Sequence, residues 1–218
     1  MSTTIVLARH GRTAWHADNR YAGVSDIDID GVGRAQALVL AEWARGYAPD
    51  ALYCSPLRRS RQTAAPVGAA LGLEPAADER IREVAFGIAE GRTLAQLAPA
   101  VAARFEADPV TGYFPQGEDP AAAAERAREW VVDTAAAHPG GRVLAIAHNT
   151  LMRLLVCRVM LSPLGEYRRL LPKVASTGLT TLRVTDGRIA LESYNATPGP
   201  DPAAGGVGGA AAERETRR

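Results

Sequence analysis

The chain has 218 residues and a formal net charge of +1, enough length for a sizeable core and no charge excess to draw it to nucleic acid or an anionic membrane surface. No apolar run approaches the roughly 18 residues of a membrane span, and the start of the chain carries no secretory pattern of basic, apolar and small residues, so a cytoplasmic location is expected. The two cysteines, Cys54 and Cys157, lie in apolar runs at no metal or redox spacing and read as buried thiols of a reducing compartment.

Ile5-Val6-Leu7-Ala8 is a short apolar run that stops at Arg9-His10-Gly11, the pattern of a buried strand. Charge at that point falls where open α/β sheets bind ligands, beyond the strand ends, and Gly11 permits a sharp turn and a close approach. Arg12 to Asp30 has no sustained periodicity and is longer than an ordinary connection, which marks a functional loop. Asp30 is placed to cap a helix whose apolar face is read from Ala35, Leu38, Val39 and Trp43, with Glu42 among them. Asp50 to Cys54 reads as a second strand, and Ser55-Pro56 as the cap and first-turn proline of a helix over Leu57 to Leu71. Arg58, Arg59 and Arg61 crowd the start of that helix, where each cation is disfavoured by about 0.3–1 kcal/mol. A bound anion is the simplest reason for three.

Ile81 to Gly91 is a loop with embedded apolar residues, and Thr93 to Ala107 reads as an alanine-rich helix. Pro109 to Pro120 is a loop around Phe114-Pro115-Gln116-Gly117-Glu118. A second alanine-rich helix, Ala121 to Ala137, buries Trp130 and Val131 and ends at Pro139-Gly140-Gly141; His138 reads as a partner for its C-terminal end. Val143 to Ala147 is the most strand-like run and ends in His148-Asn149, followed by a helix with Leu151, Leu154, Leu155 and Val159 on one face. His148 thus repeats the placement of His10, now also before a helix N-terminus that favours an anion. Leu179 to Tyr194 reads as a hairpin with Asp186-Gly187 as a type I′ turn. Pro198 to Arg218 reads as a disordered tail, leaving residues 1–197 as one domain. Alternating strands and helices predict an α/β three-layer sandwich around a mostly parallel sheet, with a C-terminal antiparallel hairpin.

In a parallel sheet, Arg9, His10, an arginine of the Arg58–Arg61 stretch and His148 converge at the strand ends. Guanidinium forks match phosphate oxygens, a neutral imidazole attacks phosphorus, and a second imidazole donates to the oxygens in flight. A carboxylic acid must protonate the leaving oxygen; Glu79, Glu83 and Glu90 are candidates that the residues alone do not separate. The four histidines follow no metal-ligand spacing.

These motifs resemble the histidine phosphatase superfamily, whose best-known branch is the cofactor-dependent phosphoglycerate mutases, over Ile5 to about Tyr194. Leu7-Ala8-Arg9-His10-Gly11-Arg12-Thr13-Ala14-Trp15 resembles its signature strand and loop, and Ser55 to Ala64 its arginine helix. Ile81 to Gly91, Pro115-Gln116-Gly117-Glu118 and Ala145-Ile146-Ala147-His148 match three further motifs. The resemblance selects Arg59 and Glu83. It implies a phosphoglycerate mutase-like sheet and a phosphatase acting on a small-molecule phosphate ester, with no metal or cofactor. His10 is implied as the nucleophile that becomes phosphohistidine, Glu83 as the proton donor, and Arg9, Arg59 and His148 as the grip on the phosphate. His16, Gly23 and Asn149, whose neighbouring backbone N–H groups would help, are implied beside the substrate. A homodimer is compatible with this reading, which fixes no oligomeric state.

Four positions depart from the family: His16 stands where Asn is usual, giving a contact that is changed in kind or titrates near neutral pH; Ala22 replaces a polar residue, Ala89 a frequent Trp and Asn149 the usual Gly. All four are expected to border the substrate. Two alternatives stand beside hydrolysis, a phosphoglycerate mutase-type phosphotransferase and an inactive phosphate-binding module. The segment from Glu83 to His148 is compact, with scattered Arg104, Arg126 and Arg128 rather than the longer basic insertion of the mutases, and this favours hydrolysis.

Overall fold

The computed structural model describes residues 1–199; the tail expected from Pro198 onward lies, from residue 200, outside the described residues. One six-stranded sheet runs through the molecule, built from β1 (Ser2–Arg9), β2 (Ala51–Cys54), β3 (Ala76–Ala77), β4 (Arg142–Ala147), β5 (Leu179–Thr185) and β6 (Arg188–Ala196). Their order is β3-β2-β4-β1-β5-β6. The first four are parallel, and β5 runs antiparallel to both β1 and β6. The hairpin turns at Asp186 and Gly187, both at positive φ (50° and 72°), as a type I′ turn requires.

Two cores sandwich the sheet. Alternate residues of β1 point to opposite faces: Val6 and Ala8 pack with Leu40, Ala41 and Ala44 of α1 (Gly31–Tyr47) and with Ala64 and Val67 of α2 (Arg58–Leu71). Ile5 and Leu7 face the other core, with α4 (Pro120–Ala137) and α5 (Asn149–Val159), where Trp130 and Val131 are fully buried. Adjacent strands β1 and β4 therefore send their chains to helices on opposite faces, and the crevice that opens beyond such strand ends is where ligands bind.

The structure corrects several local expectations. α1 buries Gly33, Ala37, Leu40, Ala41 and Ala44, while Leu38 and Val39 are 63% and 54% exposed. Small side chains let the helix sit close to the sheet around Leu40, so Leu38 and Val39 fall outside its buried face. Asp30 does cap it, accepting from the Gly33 N–H at 2.8 Å. Ser55 is not the cap of α2: Leu57 is, without a side-chain bond, and Asp26 reaches across to accept the Arg58 N–H at 2.6 Å. The helix expected over Thr93 to Ala107 is a short 3-10 turn, Leu94–Gln96, then α3 (Pro99–Ala107). Pro99 bars the preceding residue from helical backbone and starts the new helix as its first residue. β3 and α6 (Tyr167–Leu170) were not anticipated; each is too short to show a period.

Among the described residues no helix is long and apolar enough to cross a membrane. Both cysteines are free and buried. His138 ends α4, and its Nε2 lies 3.0 Å from the Tyr53 hydroxyl.

Candidate active site

Register puts the two strand-end histidines side by side. Arg9 pairs with Ala147, so the next residues along, His10 and His148, meet with ring centroids 5.2 Å apart. His10 Nδ1 lies 2.7 Å from the Gly11 carbonyl oxygen. A carbonyl only accepts, so Nδ1 carries the proton and Nε2 keeps its lone pair. Burial, then the neighbouring Arg59, His148 and Arg9, holds the His10 pKa well below the ordinary imidazole value, which keeps the ring neutral and nucleophilic. His148 is fully buried and shifted the same way by burial, then Arg59 and Arg9. Gly11 is required for this packing: a Cβ there would stand 2.6 Å from the Gly33 carbonyl oxygen.

Arg9 donates through Nη1 to the Val174 carbonyl at 2.6 Å, and its Nη2 meets His16 Nε2. Burial lowers its pKa to about 10, which leaves it charged at neutral pH. Of the three arginines at the start of α2, only Arg59 turns inward. Arg58 reaches Asp26 and Asp28 at 3.4 and 3.5 Å, and Arg61 is exposed. Arg59 is fully buried; its Nη1 donates to Ser25 O at 2.9 Å and its Nη2 to Ala22 O and Gly23 O at 2.7 and 2.6 Å. Arginine and loop fix each other.

Burial separates the three candidate carboxylates. Glu79 is exposed. Glu90 accepts the N–H groups of Val24, Ser25 and Phe86 at 3.0, 3.1 and 2.9 Å, fastening the loop that Arg59 grips. Glu83, 5% exposed, lines the cleft with Arg9 and His10. Its Oε1 accepts from Val84 and Leu151 N–H at 3.0 and 2.9 Å, and its Oε2 from Thr150 N–H at 3.0 Å. Glu83 thus occupies N–H groups of the first turn of α5 that the sequence reading left open to a bound anion.

A second ion pair brackets Glu83 from behind. Arg126 donates to Arg80 O at 2.6 Å and Glu83 O at 3.3 Å, and Glu118 holds Arg126 at 2.7 Å and Arg82 at 3.1 Å. Glu118 Oε2 also accepts from the Ala85 N–H at 3.3 Å. The Pro115–Glu118 motif is therefore a brace for the Glu83 segment.

The remaining expected residues divide. His16 Nε2 accepts from Arg9 Nη2, since a guanidinium only donates, so a neutral ring carries its proton on Nδ1, which lies 2.9 Å from the Thr13 hydroxyl and 3.2 Å from the Thr13 carbonyl oxygen. Burial, then Arg9, lowers the His16 pKa to about 4; it does not titrate near neutral pH as its place in the motif had suggested. Asn149 and Ala22 line the cleft, and Asn149 Oδ1 accepts from Val174 N–H at 3.0 Å. Gly23 is not among the lining residues, nor are Arg59 and His148, which are wholly buried. Gly23 lies wedged under Glu90, where a Cβ would fall 2.2 Å from Oε1. Ala89 is wholly buried in the core, not at the substrate's edge.

The cleft measures about 310 Å³ and is also walled by Arg153, Arg168 and Lys173, which the sequence reading missed. Arg153 did leave a signal, a guanidinium between Met152 and Leu154 on an apolar helix face; Arg168 and Lys173 left none. Eight buried side-chain N and O atoms lack a partner among the described residues, and four of them are Arg9 Nε, Arg59 Nε and both ring nitrogens of His148. Such groups each cost about 1–3 kcal/mol, and these four belong to the three residues whose charge or ring bears on His10. A tetrahedral oxyanion is the ligand that suits the Nε–H groups of Arg9 and Arg59 and the single N–H of a neutral His148.

The comparisons with known proteins agree. A model of the histidine phosphatase superfamily (branch 1) matches residues 5–197. The chain is 27% identical over 166 residues to phosphoserine phosphatase 1 of Hydrogenobacter thermophilus, covering 75% of this chain and 79% of that protein. It is 30% identical over 169 residues to a probable phosphoglycerate mutase, GpmB, of Citrobacter koseri, covering 76% and 79%. Its fold is similar to that of a mycobacterial glucosyl-3-phosphoglycerate phosphatase, with TM-score 0.81, 28% identity and coverage of 90% of this chain and all of that one. With its two strand-end histidines adjoining and the family's pattern running through nearly the whole described fold, the chain belongs to the histidine phosphatase superfamily.

Proposed function

We propose that this protein hydrolyses a small-molecule phosphate monoester through a phosphohistidine on His10, without a metal ion. His10 Nε2 attacks phosphorus, and the bond to the ester oxygen breaks as that oxygen takes a proton from Glu83. Glu83 then takes a proton from the water that attacks phosphohistidine, releasing inorganic phosphate and restoring both groups. Arg9, Arg59 and His148 hold the equatorial oxygens, and His16 orients Arg9 by accepting from its Nη2. Guanidiniums here supply the countercharge that Mg²⁺ supplies in other phosphoryl transfers. One such donor is worth roughly 10²–10³ in rate.

The observation that carries this reading is the gathering of unpartnered buried donors of Arg9, Arg59 and His148 around a neutral His10 whose Nε2 lone pair is free. Hydrolysis is favoured over mutase chemistry because Arg104, Arg126 and Arg128 are engaged elsewhere, on Tyr113 O, Glu118 and Glu125. The names of the phosphatase relatives point the same way. The test is hydrolysis of 4-nitrophenyl phosphate in EDTA, with and without bisphosphoglycerate, together with trapping of acid-labile phosphohistidine in wild type and His10→Ala. Metal-independent turnover with a trapped phosphoenzyme absent from His10→Ala is the expected result. Phosphoglycerate isomerisation that depends on bisphosphoglycerate would replace this reading with the mutase one, and phosphate binding without either reaction would leave a binding module.

A further inference from the structure

Beyond His10 the cleft holds more positive charge than a phosphate dianion answers. Arg9, Arg59, Arg153, Arg168 and Lys173 have no carboxylate within ion-pair distance among the described residues; Arg20, at the cleft edge, is paired with Asp18 at 3.0 Å. The free guanidiniums are held by carbonyls and aromatic faces, which fix a cation without neutralising it. Arg168 lies 5.1 Å over the Phe105 ring, and Tyr21 packs edge-on against that ring at 5.8 Å. Arg153 is 6% exposed, lies 4.6 Å over the Tyr167 ring, and donates to the carbonyls of Tyr167 and Leu171. It is spent on anchoring the segment that carries Arg168.

The backbone at Lys173 is held as well. The next residue, Val174, gives its N–H to Asn149 and takes Arg9 on its carbonyl, while Asn195 Nδ2 donates to Lys173 O at 3.2 Å. With Glu83 as the one carboxylate lining the cleft among the described residues and a phosphate dianion on Arg9 and Arg59, positive charge remains. Arg168 and Lys173, the two exposed cleft cations without an ion-pair partner among the described residues, carry it.

We propose that Arg168 and Lys173 form a subsite for a second anionic group, a carboxylate or a second phosphate, on the leaving-group half of the substrate. This rests on reading the cleft as a phosphomonoesterase site. The volume of about 310 Å³ is at the small end of ligand sites, roughly 300–1,000 Å³, so the ester is compact and its two anions lie a few bonds apart.

The test compares matched probes in wild type, Arg168→Met and Lys173→Met. 3-Phosphoglycerate against glycerol 3-phosphate changes a carboxylate to a hydroxymethyl group; propane-1,3-diol bisphosphate against 3-hydroxypropyl phosphate changes a phosphate to a hydroxyl. In wild type, kcat/KM is expected to favour the acidic member of one pair by at least about tenfold, and the favoured pair tells carboxylate from phosphate. Each substitution is expected to cut that ratio several-fold. Equal kcat/KM within both pairs, or substitutions that lower both members by the same factor, overturn the proposal. Calorimetric binding of the same four esters to His10→Ala keeps the question separate from turnover. Tighter binding of an acidic member, lost in Arg168→Met, supports the subsite even if 4-nitrophenyl phosphate is never hydrolysed, the outcome that removes the phosphatase reading alone. Equal binding within both pairs removes the subsite whatever the turnover.

Discussion

Glu83→Gln is the sharpest probe of the proposed chemistry, because the carboxylate is caught between three N–H donors. Oε1 accepts two of them and Oε2 one. A glutamine keeps more bonds by placing its oxygen at the Oε1 position, which points its NH₂ at the Thr150 N–H. Two donors then face each other in a buried site, at a cost of about 1–3 kcal/mol. For a chain of this size that lowers Tm by roughly 2–4 °C per kcal/mol, so the variant remains folded and measurable. The kinetic effect should depend on the leaving group. An alkoxide needs a proton as the P–O bond breaks, and general acid catalysis is worth about 10²–10⁴; 4-nitrophenolate leaves without one. Since kcat/KM reports formation of the phosphohistidine, Glu83→Gln should lower kcat/KM by that factor for an alkyl phosphate and by less than about tenfold for 4-nitrophenyl phosphate. With the aryl ester, phosphoenzyme should accumulate because the hydrolytic step has lost its base. An equal loss of kcat/KM on both esters would refute Glu83 as the proton donor.

Arg126→Met removes the donor that holds the carbonyls of Arg80 and Glu83 and strips one partner from Glu118, so a stability loss of about 1.5–3 kcal/mol is expected by denaturant melt. Because Arg126 acts through the Glu83 segment, kcat should fall with KM little changed; a rise in KM alone would contradict a positioning role. His16 has a folded pKa of about 4 against an ordinary 6.5. Between those values the unfolded chain binds a proton that the folded one refuses, so stability falls as pH is lowered through that window. His16→Asn should therefore show a smaller drop in Tm from pH 7 to pH 4.5 than wild type, and equal drops would show that His16 is not refused its proton. Inorganic phosphate at about 100 times its Kd should stabilise the protein by about 2.7 kcal/mol, seen as a rise in Tm. The same rise in Arg9→Met would remove that arginine from the phosphate site.

The strand-end cleft was legible in the sequence because it is made of local contradictions. A guanidinium or an imidazole ending an apolar run, as at Arg9-His10 and His148, has no structural reason to be there, and the parallel order of β1 and β4 needs only alternating strands and helices to be inferred. What local pattern does not encode is depth. Glu79, Glu83 and Glu90 look alike in the chain and differ only in what surrounds them. Glu83's hold on the first turn of α5 joins residues that only folding brings together. The misread face of α1 has the same origin: Ala37, Ala41 and Ala44 are buried because they are small enough for close packing, which a scale of hydrophobicity does not register. Arg168 and Lys173 reach the cleft through a segment pinned by Arg9, Asn149 and Arg153, so their placement is a property of the assembled site.

That pinning links recognition to catalysis. Arg9 lines the cleft with its Nε unpartnered, yet its Nη1 is bonded to the carbonyl of Val174, one residue from Lys173. Arg59 is divided in the same way between its own Nε and the carbonyls of Ala22, Gly23 and Ser25. A carboxylate partner for either arginine would stabilise the free protein and would also cancel the field that draws and holds an oxyanion. Carbonyls orient the guanidiniums and leave their charge intact. The free protein thus keeps several buried cations incompletely satisfied, a local instability of the kind that functional sites retain. Since the same arginines also order the loops around the cleft, an anion that satisfies them is expected to firm the cleft walls, including the segment that carries Lys173.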